Sequence, residues 1–162
     1  MRDQAWLQQL LDDIWDTSFA DVPQVGDVRI GFGRRAKRRL GSISLDPLDR
    51  SVSVITLNGL FKLEAVPETV VRATIVHELT HYAHGFNSPL EQRQRHPHAG
   101  GVMRREFADR GLLELYLGQK RWLKQHWATL LVRELPPRTV LRPLRVAAPK
   151  VRQTGRSKLF WM

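Results

Sequence analysis

The segment His77-Glu78-Leu79-Thr80-His81 constrains this chain more than any other. Residues four apart on an α-helix lie one turn apart on the same face. Two imidazoles at this spacing therefore reach a common metal ion when the segment is helical. Glu78, beside the first of them, can touch a water on such an ion without ligating it. Chance places His-Glu-x-x-His in a chain of this length well under about once in a hundred. The segment is accordingly read as a zinc-holding helix rather than as two surface histidines around an ordinary Glu. Pro67-Glu68 supplies a first helical turn, with Pro at a tolerated position and an acid at the positive dipole end. Gly85 supplies a C-terminal cap after His84. On this helix Val71, Ile75, Leu79 and Phe86 are expected to face the core, and His77, His81 and His84 to share another stripe.

The chain has 162 residues and no cysteine. That length suits one domain with an appended tail, here residues 1–135 and 136–162. The missing cysteines exclude disulfides, thiolate zinc sites and Cys nucleophiles, leaving His, Asp and Glu as the strong metal ligands. No apolar run is long enough to cross a bilayer, and the first residues do not read as a signal peptide. The expectation is a soluble cytoplasmic protein. The net charge is +10, of which +7 falls in the last thirty residues. A second basic cluster, residues 34–39, lies early. Such patches, 34–39 and 133–158, favour polyanions, most often nucleic acid; single-stranded DNA is the expected partner, and binding it would place the protein at the nucleoid. The plainer reading is the solvated surface of a basic protein.

Asp3 to Phe19 reads as an amphipathic helix carrying Trp6, Leu7, Leu10, Leu11, Ile14 and Trp15 on one side. Val28 to Phe32, Leu40 to Leu45 and Ser51 to Leu57 read as strands, with the basic cluster as a hairpin turn or loop and Asn58-Gly59 as a turn. After a polar loop, Asn87 to Pro97, one helix is expected from Gly100 or Gly101 to Tyr116 and another over Lys120 to Leu135. Pro136, Pro137, Pro143 and Pro149 forbid a long helix beyond. The tail is expected to be extended and packed on the domain, with Val140, Leu141, Leu144 and Val146 in short edge strands and Trp161 tucked back. The other tryptophans are expected in the core rather than stacked on bases.

A catalytic zinc needs a third protein ligand, with the fourth position left to water. His98 leads the candidates: it follows the polar loop, and Ala99-Gly100-Gly101 offers little bulk against close approach. His96, two residues earlier, and Glu106, on the following helix, are the alternatives. His84, Tyr82 and His96 are candidates to stabilise a developing oxyanion, His84 being equally a capping residue. Arg104 and Arg105 either flank the cleft or belong to a solvated helix face.

Thr74 to His81, preceded by the strand Val54-Ile55-Thr56-Leu57-Asn58, resembles the SprT-like metalloprotease family, which includes the Spartan proteases that degrade proteins crosslinked to DNA. The likeness spans roughly Val28 to Gly111. That family carries its third zinc histidine some twenty residues after the motif, where His98 falls, though Ala99 and Val102 stand where the family has Gly and an aromatic. With no cysteine in the chain, the four-cysteine zinc ribbon of many members is either absent or replaced by a metal-free fold in the tail. The resemblance implies an α+β domain: an N-terminal helix, a small antiparallel three-stranded sheet, the metal helix, then further helices. It implies peptide-bond hydrolysis, with Glu78 accepting a proton from a zinc-activated water and handing it to the leaving amine. The competing expectation is a nucleic-acid-binding module with a structural or degenerate metal site. Glu78 favours hydrolysis, because a structural site needs no general base.

Overall fold

The first helix, α1 (Gln4–Ser18), starts where Asp3 accepts a hydrogen bond from the Trp6 amide at 2.8 Å, satisfying one of the free N–H groups of a helix start. It buries Leu7, Leu10, Leu11 and Ile14, a spacing that keeps one stripe on the core; each such side chain contributes about 1.5–3 kcal/mol. The computed structural model describes residues 1–135. The expectations for 136–162, including the packed tail, its edge strands, Trp161 and most of the 133–158 patch, lie outside the described residues.

Three strands follow, β1 (Val28–Phe32), β2 (Gly41–Leu45) and β3 (Ser53–Leu57). They form one sheet in the order β1-β3-β2, with β2 antiparallel to β3 and β1 parallel to it. The expectation of an antiparallel sheet is therefore corrected to a mixed one. The cause lies in the residues from Gly33 to Leu40. They do not turn β1 back onto β2; they arch over the end of β3, which slots between the other two. The most β-branched strand thus takes the centre, where both its edges are paired, with Ser53, Ile55 and Leu57 buried. Asn58, just past β3, clamps the arch. Its Nδ2 donates to Ala36 O and Arg39 O, each at 2.7 Å, and its Oδ1 accepts from the Ala36 and Leu60 amides at 3.2 and 3.0 Å. Gly59 must be glycine here, since a Cβ would sit 2.6 Å from Gly33 O.

The helix bearing the motif, α2 (Glu68–Ala83), follows a 3-10 turn at Gly59–Lys62. Twelve of its sixteen residues are buried, so it is the centre of the core rather than a surface helix. Arg72 ties it to α1, reaching Glu68 at 2.9 Å and Asp13 at 2.6 Å. It ends in a Schellman arrangement: the Gly85 amide donates to Tyr82 O and the Phe86 amide to His81 O. Gly85 adopts φ +79°, a conformation glycine takes without steric cost. Val71, Ile75 and Leu79 are in the core as expected, while Phe86 is half-buried.

The later helices are divided differently from expectation. They run α3 (Val102–Asp109), α4 (Leu113–Trp122), a π-helical turn (Leu123–Trp127) and α5 (Ala128–Glu134). The break falls at Gly111, φ +72°, where the Gly111 and Leu112 amides return to Ala108 and Phe107. Gly118 lies between Tyr116 and Lys120 but stays helical, so α4 absorbs the start of what reads as a separate helix. Trp127 donates from Nε1 to Lys37 O at 3.0 Å, and Glu134 meets Arg35 at 3.2 Å. Both anchor the arch. Trp6, Trp15, Trp122 and Trp127 all pack against the core cluster. The architecture is α+β, and among the described residues no helix is long and apolar enough to cross a membrane.

Candidate metal centre

The C-terminal half of α2 and the segment before α3 bring three histidines together. His77 and His81 project from one face of α2, with 3.1 Å between their Nε2 atoms. His98 closes against both, its ring centroid 5.3 Å from His77 and 4.8 Å from His81. One ring nitrogen from each lies within 4.8 Å of the others. Tetrahedral Zn–N bonds of about 2.0–2.1 Å hold nitrogens roughly 3.3–3.5 Å apart, so these residues fit a metal ion with small ring adjustments. His98 is delivered by a sharp change of direction. Gly100 and Gly101 take φ +62° and +72°, and a Cβ on Gly100 would meet nothing within 4 Å. Glycine serves there for its backbone freedom, not for space.

Burial sets the protonation of the ligands. It lowers His77 to about 3, helped by the charges of His81 and His98. It lowers His81 to about 4, helped by His98 and His84. Both imidazoles are therefore neutral at pH 7, the form that ligates a metal. Glu78 is moved the other way: burial raises its carboxyl to about 7, with Arg39 pulling modestly back. Glu78 lines a cleft of about 280 Å³ together with the three histidines and Gly41, Ser42 and Ile43 of β2. Gly41 lets β2 pass close over the helix. A Cβ there would sit 2.8 Å from Thr74 Cγ2 and 2.9 Å from Glu78 Oε1.

The alternatives for the third ligand go elsewhere. Glu106 faces His84, Oε2 to Nε2 3.1 Å, and also takes Arg110 at 2.9 Å. Arg110 continues to Ser18 O and Asp21. This chain ties α3 to the end of α2 and to the residues after α1, and keeps Glu106 out of the histidine cluster. His96 is exposed and does not line the cleft. Of the oxyanion candidates, Tyr82 spends its hydroxyl on the Val25 backbone, donating to O at 2.8 Å and accepting from N at 2.9 Å. His84 is engaged with Glu106 and is not one of the three clustered histidines. Arg104 and Arg105 are exposed and line none of the cleft, with Arg105 donating back to Gly100 O.

Sequence reasoning missed two participants. Gly41 gave no signal, because its role depends on a helix distant in sequence. Asn87 combines φ +53° with a bond from Nδ2 to Ile43 O at 3.0 Å. An asparagine just past a helix-ending glycine is the one clue the sequence offers. No family model, no curated protein and no solved structure matches the chain.

Proposed function

We propose that this protein is a zinc-dependent metallopeptidase, related to the SprT-like proteases, in which His77, His81 and His98 hold the metal and Glu78 is the general base. The observation that carries the reading is the convergence of three ring nitrogens within 4.8 Å beside a buried carboxyl in an open cleft. Zinc supplies a Lewis acid and an activated water at neutral pH when bound. Glu78 takes a proton in that cleft and returns it to the leaving amine; a carboxyl poised near 7 suits both transfers. His77 and His81, neutral at working pH, keep their lone pairs free for the metal. Ile43 and Gly41 lie on the outer edge of β2, where an extended peptide adds backbone hydrogen bonds. Proteins associated with or crosslinked to DNA are the proposed substrates, in a cytoplasmic, nucleoid-associated setting. The support is the basic balance of the chain and the exposed Arg34, Arg35, Lys37, Arg38 and Arg39 on the arch.

The test uses the full chain loaded with zinc on an unfolded protein substrate. Glu78→Gln is expected to retain zinc and lose hydrolysis by about 100-fold or more. An inert wild type, or a variant equally active with zinc bound, would end the peptidase reading. Binding of single-stranded DNA that is absent at low salt, or indifferent to salt, would remove the nucleic-acid part.

A further inference from the structure

A second cavity, about 240 Å³, continues from the metal-site cleft and shares Gly41, His77 and Glu78 with it. Its character is different. Arg38 and Arg39 of the arch and Lys120 of α4 line it, over walls that include Thr74, Gln119 and Leu123. Among the described residues none of these three cations has an acidic side chain within 4 Å. Residues 136–162 carry no Asp or Glu to supply one. Among the described residues Glu78 is the only acid lining the cavity.

The backbone that carries the cations is held in place, while their side chains are exposed. Asn58 fixes the carbonyls of Ala36 and Arg39, and Trp127 fixes that of Lys37. Gln119 is buried, donating to Thr74 Oγ1 at 2.8 Å and to Val70 O at 3.2 Å, which seats the Lys120 turn of α4 against α2. A backbone fixed in this way leaves only the three side chains to be ordered on binding.

The direction of a bound peptide follows from β2. Leu40 O accepts from Asn58 on the β3 side, and Ile43 O accepts from Asn87 on the outer side. Gly41, Ile43 and Leu45 thus present their backbone groups outward. A peptide added antiparallel, the more stable pairing, runs from Leu45 towards Gly41. It meets the histidines first and the cations next, so the residues following the scissile bond lie against Arg38, Arg39 and Lys120.

We infer that this cavity receives a carboxylate on the C-terminal side of the bond to be cut, either an Asp or Glu side chain or the chain terminus of the substrate. The inference rests on the peptidase reading for the position of the cut, but not for the binding. A phosphate backbone is the weaker occupant, because these three cations line a hollow beside His77 and Glu78 and not a track.

Binding is measured first on the full-length, metal-free protein by calorimetry at low salt. The probes are amidated Ala-Ala-Glu-Ala, its Gln counterpart, and Ala-Ala-Ala as free acid and as amide. Each carboxylate probe is expected to bind about tenfold more tightly than its neutral partner, the sum of a few modest ion pairs. The Glu and free-acid arms separate the two sources of carboxylate. Arg38→Gln, Arg39→Gln and Lys120→Gln together are expected to erase the preference, while Arg121→Gln, on the same turn of α4 but outside the cavity, keeps it. Equal affinities, no measurable binding of any probe, a preference that survives the triple variant, or displacement by a short oligothymidylate but not by the acidic peptide would each overturn the inference. Zinc-loaded protein is then given a peptide library. Cuts placed before Asp or Glu, or one residue from a free terminus, support it; cuts without that bias overturn it and leave the peptidase reading standing. Carboxylate binding without any cleavage supports the cavity and ends the peptidase reading.

Discussion

Replacing Glu78 by Gln in the metal-free protein isolates the cost of burying that carboxyl. In the folded protein the group titrates at about 7, against an ordinary value of 4.5. A raised carboxyl stabilises the fold fully below its unfolded value, and that contribution is lost as pH rises through its folded value. Integrating proton uptake over these two values gives about 2.5 kcal/mol lost by the wild type between pH 5 and pH 8. Gln cannot titrate, so the variant loses none of it. His77 and His81 act oppositely: lowered in the fold, they destabilise it as pH falls below 6.5, the unfolded value, because the unfolded chain then binds the protons. That effect is common to both proteins and cancels in the comparison. The assay is chemical denaturation of both proteins in the presence of a chelator at several pH values. The gap between their stabilities should change by about 2.5 kcal/mol across the window, or roughly 5–10 °C in Tm. Curves that stay parallel within about 0.5 kcal/mol would refute a raised carboxyl. Added zinc should shrink the gap, since a cation at the histidines favours the ionised form.

His98→Ala should weaken zinc binding by at least about 100-fold, beyond the usual loss from an outer-shell change, whereas His96→Ala should leave it unchanged; chelator competition distinguishes them. Gly41→Ala pushes a methyl to within 2.9 Å of Glu78 Oε1 and 2.8 Å of Thr74 Cγ2. It should destabilise by about 1–3 kcal/mol in denaturant titration and depress kcat more than zinc affinity. Asn58→Ala removes four hydrogen bonds at the arch. Loss of about 2–4 kcal/mol is expected, with amide exchange accelerated at residues 36–40 ahead of the rest of the chain.

Local features were legible in the sequence because their causes are local. The ligand spacing, Pro67 before α2 and Gly85 after it each act within a turn or two of chain. His98 was legible for a reason the structure replaces: the sequence pointed to the small bulk of Ala99-Gly100-Gly101, whereas the two glycines serve through their positive φ. The strand order was not. Asn58-Gly59 has the signature of a turn, yet Asn58 spends its side chain on an arch twenty residues away, and nothing short-range distinguishes the two uses. The division of the late helices failed where Gly111, a single residue, outweighed an otherwise continuous apolar pattern. Glu106 shows the limit at the site itself. Its type and position suit a ligand, and only the packing of His84 and Arg110 against it diverts it.

The π-helical turn between α4 and α5 means that this stretch holds one residue more than an α-helix of its length requires. Removing the exposed Gln125 would wind the turn down to ordinary pitch while both flanks keep their facing, so that Leu130 stays inside and Glu134 still reaches Arg35. A comparable deletion within α2 would rotate everything beyond it by about 100° and tear the histidines apart. The chain therefore has a spare position behind the arch and none in the helix beneath it, and length variation among its relatives should be tolerated accordingly.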